Sequence, residues 1–301
     1  MARGRVKYLQ ISQEVPSALD RLPCGEYRSD HPPFQDYYAT PIHLLHGPPR
    51  SYTTRSENAL QPYPFQWVQA AKAADGLITI TERNGWPSYV AKAVLGTVRV
   101  ADDGSANFSA PAGKVLYFHL LDENYNELQR MRSVVQLQPG ERRSCIGCHD
   151  ERVSAPARHV GHALAQPVQT PEPPPWGGVP FDYERMVQPV LDGNCARCHD
   201  GKAGAKPDLR GLRDASRVPA SYRALITGGW VDFFDWFYGA RHFKAEPLSF
   251  GTLRSRLFKV LADKNHAGVS LKPGEQRALK AWIDLNCPLW PDYRYRMDRT
   301  K

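Results

Sequence analysis

Two pentapeptides carry most of the chemistry this sequence offers: Cys145-Ile146-Gly147-Cys148-His149 and Cys195-Ala196-Arg197-Cys198-His199. Each sets two thiols two residues apart and follows the second with an imidazole. That spacing suits covalent haem. Two cysteine sulfurs add to the two vinyl groups, and the two intervening residues let both reach one porphyrin edge. The adjacent histidine then comes under the ring to ligate iron. Four of the six cysteines fall inside these motifs. At this composition a single chance match has odds of roughly a few in a thousand, and two are far rarer. The sequence therefore predicts two covalently attached c-type haems. Cys145, Cys148 and His149 would hold the first, and Cys195, Cys198 and His199 the second.

Zinc is the rival cofactor. Paired zinc knuckles stand about 15–20 residues apart, whereas residues 149–194 separate these two pairs. A thioredoxin-like dithiol needs a βαβ setting that neither motif has, and a disulfide framework belongs to shorter chains. A zinc-binding structural module without haem is thus the alternative, and Cys24, in RLPCGEY, is a further candidate zinc ligand. Cys24 and Cys287 otherwise read as small buried hydrophobes or, outside the cytoplasm, as a disulfide pair.

A six-coordinate haem needs a second axial ligand, His or Met. Met186 lies on the helical stretch before the second motif and reads as core, and Met297 stands in a charged tail. His266, in DKNHAGVSL between two helical stretches, is the first candidate for the distal ligand of the second haem, and His242, in YGARHFKAEP, the weaker one. For the first haem His31, His43, His46, His119, His159 and His162 all stay open. A sixth position left open there would let iron bind a small molecule.

The elements that position these motifs differ between the two halves. Residues 1–140 read as a β-rich, sandwich-like domain: RVKYLQIS, PFQWVQAA, GLITI, then strand, turn, strand, turn and strand through VLGTVRVADDGSANFSAPAGKVLYFHLLD, and ELQRMRSVVQLQ up to Pro139-Gly140. Residues 141–165 form the first haem-binding segment and 166–180 a stiff proline-rich linker. Residues 181–301 change to helical spacing. Tyr183, Met186, Val187, Val190 and Leu191 share one face leading into the second motif, and SYRALITGG, LSFGTLRSRLFKVLADKN and KPGEQRALKAWIDLN follow. The expected fold class is multidomain α+β, a β-sandwich-like domain followed by an α-helical cytochrome c-like domain. The aromatic run 228–243 reads as core packing, a haem-edge wall or a docking loop.

The chain's 301 residues suffice for one large or two ordinary domains, and 26 prolines and 23 glycines favour short elements and loops. The net charge of +8 is scattered rather than gathered into runs. It points to acidic redox partner proteins and not to nucleic acid. No stretch has the apolar length of a transmembrane helix. MARGRVKYLQISQEVP lacks the apolar core and cleavage site of a signal peptide. Because c-type haem is attached outside the cytoplasm, the reading is a periplasmic or other extracytoplasmic protein with a truncated or misassigned start.

With these residues in view, the stretch GTVRVADDGSANFSAPAGKVLYFHLLDENYNELQRMRSVVQLQPGERRSCIGCHDER resembles the middle domain of the hydrazine synthase alpha subunit family. MVQPVLDGNCARCHDG, PDLRG, LSFGTLRSRLFKVL and AWIDLNCP resemble that family's C-terminal cytochrome c domain. The resemblance covers most of residues 95–290 and lacks the family's large N-terminal β-propeller-like portion. It implies a diheme protein whose centre at Cys145, Cys148 and His149 is of the catalytic type. The centre at Cys195, Cys198 and His199 would be an electron relay with His266 as second ligand. In the family's founding enzyme the first motif histidine goes to zinc and a tyrosine four residues later ligates iron. Val153 stands at that position here, so the resemblance carries the diheme architecture rather than the reaction. The expected function is a diheme c-type cytochrome transferring electrons outside the cytoplasm. The alternative is a redox enzyme, or a subunit of a larger enzyme complex, acting on a small nitrogen compound or peroxide at the first haem.

Overall fold

The computed structural model describes residues 4–15, 51–54, 68–82, 91–131, 134–146, 161–202, 207–213, 218–233, 246–263, 266 and 268–291. Cys24, Cys148, His149, Val153 and His242 lie outside them, as do His31, His43, His46, His159 and Met297.

Two antiparallel sheets and a set of short helices make this an α+β chain. Strands β1 (Tyr8–Glu14), β5 (Lys92–Arg99), β6 (Val115–Leu121) and β7 (Glu127–Arg130) form a sheet in the order β5-β1-β6-β7. The smaller sheet, order β2-β4-β3, contains β2 (Ser51–Thr54), β3 (Val68–Lys72) and β4 (Ile78–Glu82). The strand expected over ANFSA is reduced to an isolated bridge between Phe108 and Gln169. The expected last strand stops at Arg130, with a further bridge from Val135 to Leu116.

The larger sheet buries both faces, which is why β5 and β6 read as nearly continuous apolar runs. On one face Ile11, Val98, Leu116 and Val135 form a cluster backed by Phe108, Phe118 and Leu137. On the other, Ala91, Val94 and Tyr117 join Phe181, Tyr183, Tyr222 and Trp282 in the main core. Sheet and helices therefore share one apolar layer.

The helices are α1 (Tyr183–Met186), α2 (Gln188–Asn194), α3 (Ala220–Thr227), α4 (Arg256–Leu261) and α5 (Pro273–Asp284). The Asp182 carboxylate caps α1 by accepting from Glu184 N at 3.0 Å and Arg185 N at 3.3 Å. A single helical stretch was expected there. Val187 breaks it, and Pro189 sits in the first turn of α2, where a missing N–H is harmless. Glu275 starts α5 by accepting from Lys272 N at 2.7 Å. At the other end the buried Lys92 Nζ donates to Leu285 O at 2.8 Å, so a cation from β5 meets the negative end of α5.

The proline-rich segment runs along β5. Thr97 and Glu172 exchange two backbone hydrogen bonds of 2.9 Å, and bridges join Phe108 to Gln169 and Ala93 to Pro180. This covers the edge of the sheet. It also explains Gly96, beside the bulge between Ile11 and Ser12. A Cβ there would lie 2.7 Å from Glu172 O and 2.8 Å from Pro171 Cβ. Gly96→Ala is expected to lower stability by about 1–3 kcal/mol through overpacking against backbone, read as a fall in the urea midpoint.

A buried polar cluster joins sheet to helix. His119 Nδ1 pairs with Glu127 Oε1, and Arg130 grips Glu127 Oε2 through Nη2 and, at 3.1 Å, through Nε. Asp284 of α5 stands beside them, accepting from Thr252 N at 2.8 Å and Thr252 Oγ1 at 2.9 Å. Burial, then the Glu127 carboxylate, pushes the Asp284 carboxyl up to about 8, against the opposing pull of Arg130 and Thr252.

Candidate functional site

The second motif has a defined geometry. Helix α2 ends at Asn194, and the chain turns so that Cys195 N bonds Leu191 O at 2.8 Å while Cys198 N and His199 N both bond Cys195 O, at 3.1 and 3.0 Å. That tight turn carries both cysteines and the histidine of the motif. Cys195 is half-buried against the main core, and Cys198 is exposed. Both are free thiols. Burial first, then Cys198 and Glu275, pushes the Cys195 thiol up to about 11. A redox dithiol needs the opposite shift, toward a stable thiolate, so this pair is ill suited to thiol exchange.

His199 is oriented by its backbone surroundings. Its Nδ1 lies 3.2 Å from Pro207 O, and its carbonyl accepts from Leu209 N at 2.9 Å. A proton on Nδ1 donated to Pro207 O leaves Nε2 as the nitrogen free to bind metal. His266 faces it: the ring centroids lie 6.0 Å apart with planes 20° from parallel. Imidazole–metal bonds of about 2.0–2.1 Å on both sides of one ion would set ring centres roughly 6 Å apart. The spacing of the two rings is compatible with one metal ion between His199 and His266. His266 N bonds Asp263 O at 3.0 Å. Sequence spacing had put His266 first among the distal candidates, and the structure brings it to His199. His242, the weaker candidate, is outside the described residues.

The first motif is described only up to Ile146. Cys145 is exposed and follows the turn in which Glu141 N bonds Gln138 O at 3.0 Å. Residues 161–163 are tied to the turn at 103–105. His162 N bonds Asp103 Oδ2 at 2.8 Å and Ala163 N bonds Ser105 Oγ at 3.0 Å. His162 is exposed, whereas His119 is fully buried against Glu127 and Tyr117. Cys287 is a fully buried thiol, which burial holds well above the ordinary range. Met186 packs against the core, as do Trp230 and Phe233 of the aromatic run. Among the described residues no group of three or more His, Cys, Asp or Glu side chains could hold a metal ion. Sequence reading missed Pro207 as the partner of His199. The signal was weak, because a carbonyl acceptor leaves no mark of residue type.

Residues 63–150 match the family model described as the hydrazine synthase alpha subunit middle domain, a span that includes the whole first motif. The resemblance read from sequence holds for that segment, while the cytochrome-like part lies beyond the match. Among solved structures the chain is similar in fold to hydrazine synthase of Kuenenia stuttgartiensis, with a TM-score of 0.54 and 18% identity. That likeness covers 97% of this chain, which spans 40% of the matched chain. No curated protein sequence matches it. Among the described residues no helix is long and apolar enough to cross a membrane.

Proposed function

We propose that the chain is a haem-dependent redox enzyme or enzyme subunit, similar to the hydrazine synthase alpha subunit, acting outside the cytoplasm. The helices around the second motif form a cytochrome c-like unit in this reading. Bound haem would supply one-electron transfer at the second motif and, where a coordination position is open, a seat for a small nitrogen compound or peroxide at the first. Cys195 and Cys198 would attach the second haem, His199 and His266 would hold its iron, and Pro207 O accepts the proton on His199 Nδ1. Cys145, Cys148 and His149 would do the corresponding work at the first centre. The observation that carries the reading is the His199–His266 pair at 6.0 Å. The family match over 63–150 supports the enzyme over a plain electron carrier. The name of that family, an alpha subunit, favours a place in a larger assembly, and the net charge of +8 favours acidic redox partners.

The test is to export the chain through c-type maturation machinery and record ferrous spectra with and without carbon monoxide. Two covalent haems are expected, of which one shifts with carbon monoxide. Replacing Cys145 and Cys148 together by serine should abolish that half of the signal and leave the other. If neither haem shifts, the chain is an electron carrier. If no haem attaches, the whole reading fails.

A further inference from the structure

Gln188 is a buried amide in an apolar setting, 6% exposed, on the helix that leads to the second motif. Its Oε1 accepts from Ser221 Oγ, and the Ser221 hydroxyl accepts from Tyr183 OH at 2.9 Å. Ser221 and Tyr183 are fully buried. Its Nε2 donates to Asp192 Oδ1 at 2.8 Å and to Leu209 O at 3.1 Å. One glutamine thus satisfies both ends of its amide across three elements, as a buried polar group must. The segment it holds is the one that orients His199. Pro207 O faces His199 Nδ1, and Leu209 N bonds His199 O. The same segment runs so close to Gln188 that a Cβ on Gly211 would lie 3.1 Å from its Cγ and Cδ. At its far end the segment is tied to α3 through Ala220 N to Leu212 O, 2.7 Å, and Ser221 N to Arg210 O, 3.1 Å. An apolar side chain at 188 would fill the same space and leave Leu209 O unbonded.

We propose that Gln188 is a positioning residue for the His199 imidazole, acting through residues 207–211. The inference rests on the reading of His199 as an axial ligand and adds the element that fixes its ring. A held Nδ1–H makes Nε2 the better donor to ferric iron and keeps the potential low. Loosening Pro207 weakens that donation.

The experiment uses the full chain with isotope-labelled histidine, before and after haem attachment, as the unsubstituted protein, Gln188→Met and Ser221→Ala. Before attachment the readout is exchange of the His199 Nδ1 proton. Gln188→Met is expected to speed it about tenfold or more, and Ser221→Ala less, in the same direction. After attachment the midpoint potential of the second centre should rise in the same order, by a severalfold change in the ferric-to-ferrous ratio, where tenfold is 59 mV for one electron. A loss of stability with proton exchange and potential both unchanged would overturn the proposal and leave Gln188 a core residue. If Gln188→Met does not fold, Ser221→Ala decides on the same two readouts. Failure of haem to attach at Cys195 and Cys198 sinks the ligand reading instead, and proton exchange still reports the effect of Gln188.

Discussion

On the proposed haem reading, replacing His266 by alanine is expected to leave the second haem covalently attached but open its sixth coordination position. The thioethers to Cys195 and Cys198 and the bond to His199 would not depend on His266. The bonds from His266 N to Asp263 O and from Lys272 N to the Glu275 carboxylate do not involve the imidazole. Removing it would therefore remove a ligand and leave those bonds in place. Carbon monoxide should then bind both ferrous haems instead of one. His266→Met is the informative companion. A thioether in that place keeps six-coordination and raises the potential, since His/Met ligation favours the ferrous state. If the second haem of His266→Ala ignores carbon monoxide just as the unsubstituted protein does, His266 is not the ligand.

The second large effect concerns stability. Arg130 and Asp284 are both almost fully buried, and they have opposite claims on Glu127. The Arg130 guanidinium pairs with Glu127, while Asp284 adds a second carboxyl close by. Arg130→Met is expected to cost about 3–5 kcal/mol, because it leaves a carboxylate buried without its cation. Asp284→Asn should do the reverse at high pH. The Asp284 carboxyl lies near 8 in the folded chain and near its ordinary 3.8 when unfolded. Between those values the folded state holds a proton that the unfolded state has lost, so stability falls as pH rises from about 4 to about 8. Below that window both states are protonated and nothing is lost. Asparagine keeps the acceptor for Thr252 N and removes the ionisation. The variant should match the parent near pH 4 and exceed it at pH 8 by an amount on the order of a few kcal/mol. Urea midpoints across that range, at constant slope, measure it.

The site was legible where chemistry is written in residue type at fixed spacing. Cys195, Cys198 and His199 announce themselves, and His266 followed from its place between two helical stretches. Helix α5 was plain as an element from its 3.6-residue period, but its bounds were not: the sequence put its start after Pro273-Gly274 and its end before Pro288, whereas it runs Pro273–Asp284, with Pro273 in its first turn. Helix α4 was over-read. LSFGTLRSRLFKVL has the apolar period, but Gly251 and Leu253 stand in a separate 3-10 turn. The central place of β1 was not visible, since its partners β5 and β6 lie far along the chain and alternation names no partner. The same holds for His119, Glu127, Arg130 and Asp284. Charged residues on short strands, or at the end of a helix as Asp284 is, read as solvent-facing until tertiary packing closes over them.

That central strand has a consequence for how the chain reaches its fold. Tyr8–Glu14 is synthesised well before its partners, for Tyr8 pairs with Arg99 and Leu121. At about 5–20 residues per second the strand waits roughly 5–20 s for its neighbours. A sheet closed by such distant pairings folds late and slowly. In the proposed extracytoplasmic role, where the chain would cross a membrane unfolded before its cysteines meet haem, lateness would be an advantage: translocation would compete only with a strand that has nothing yet to pair with.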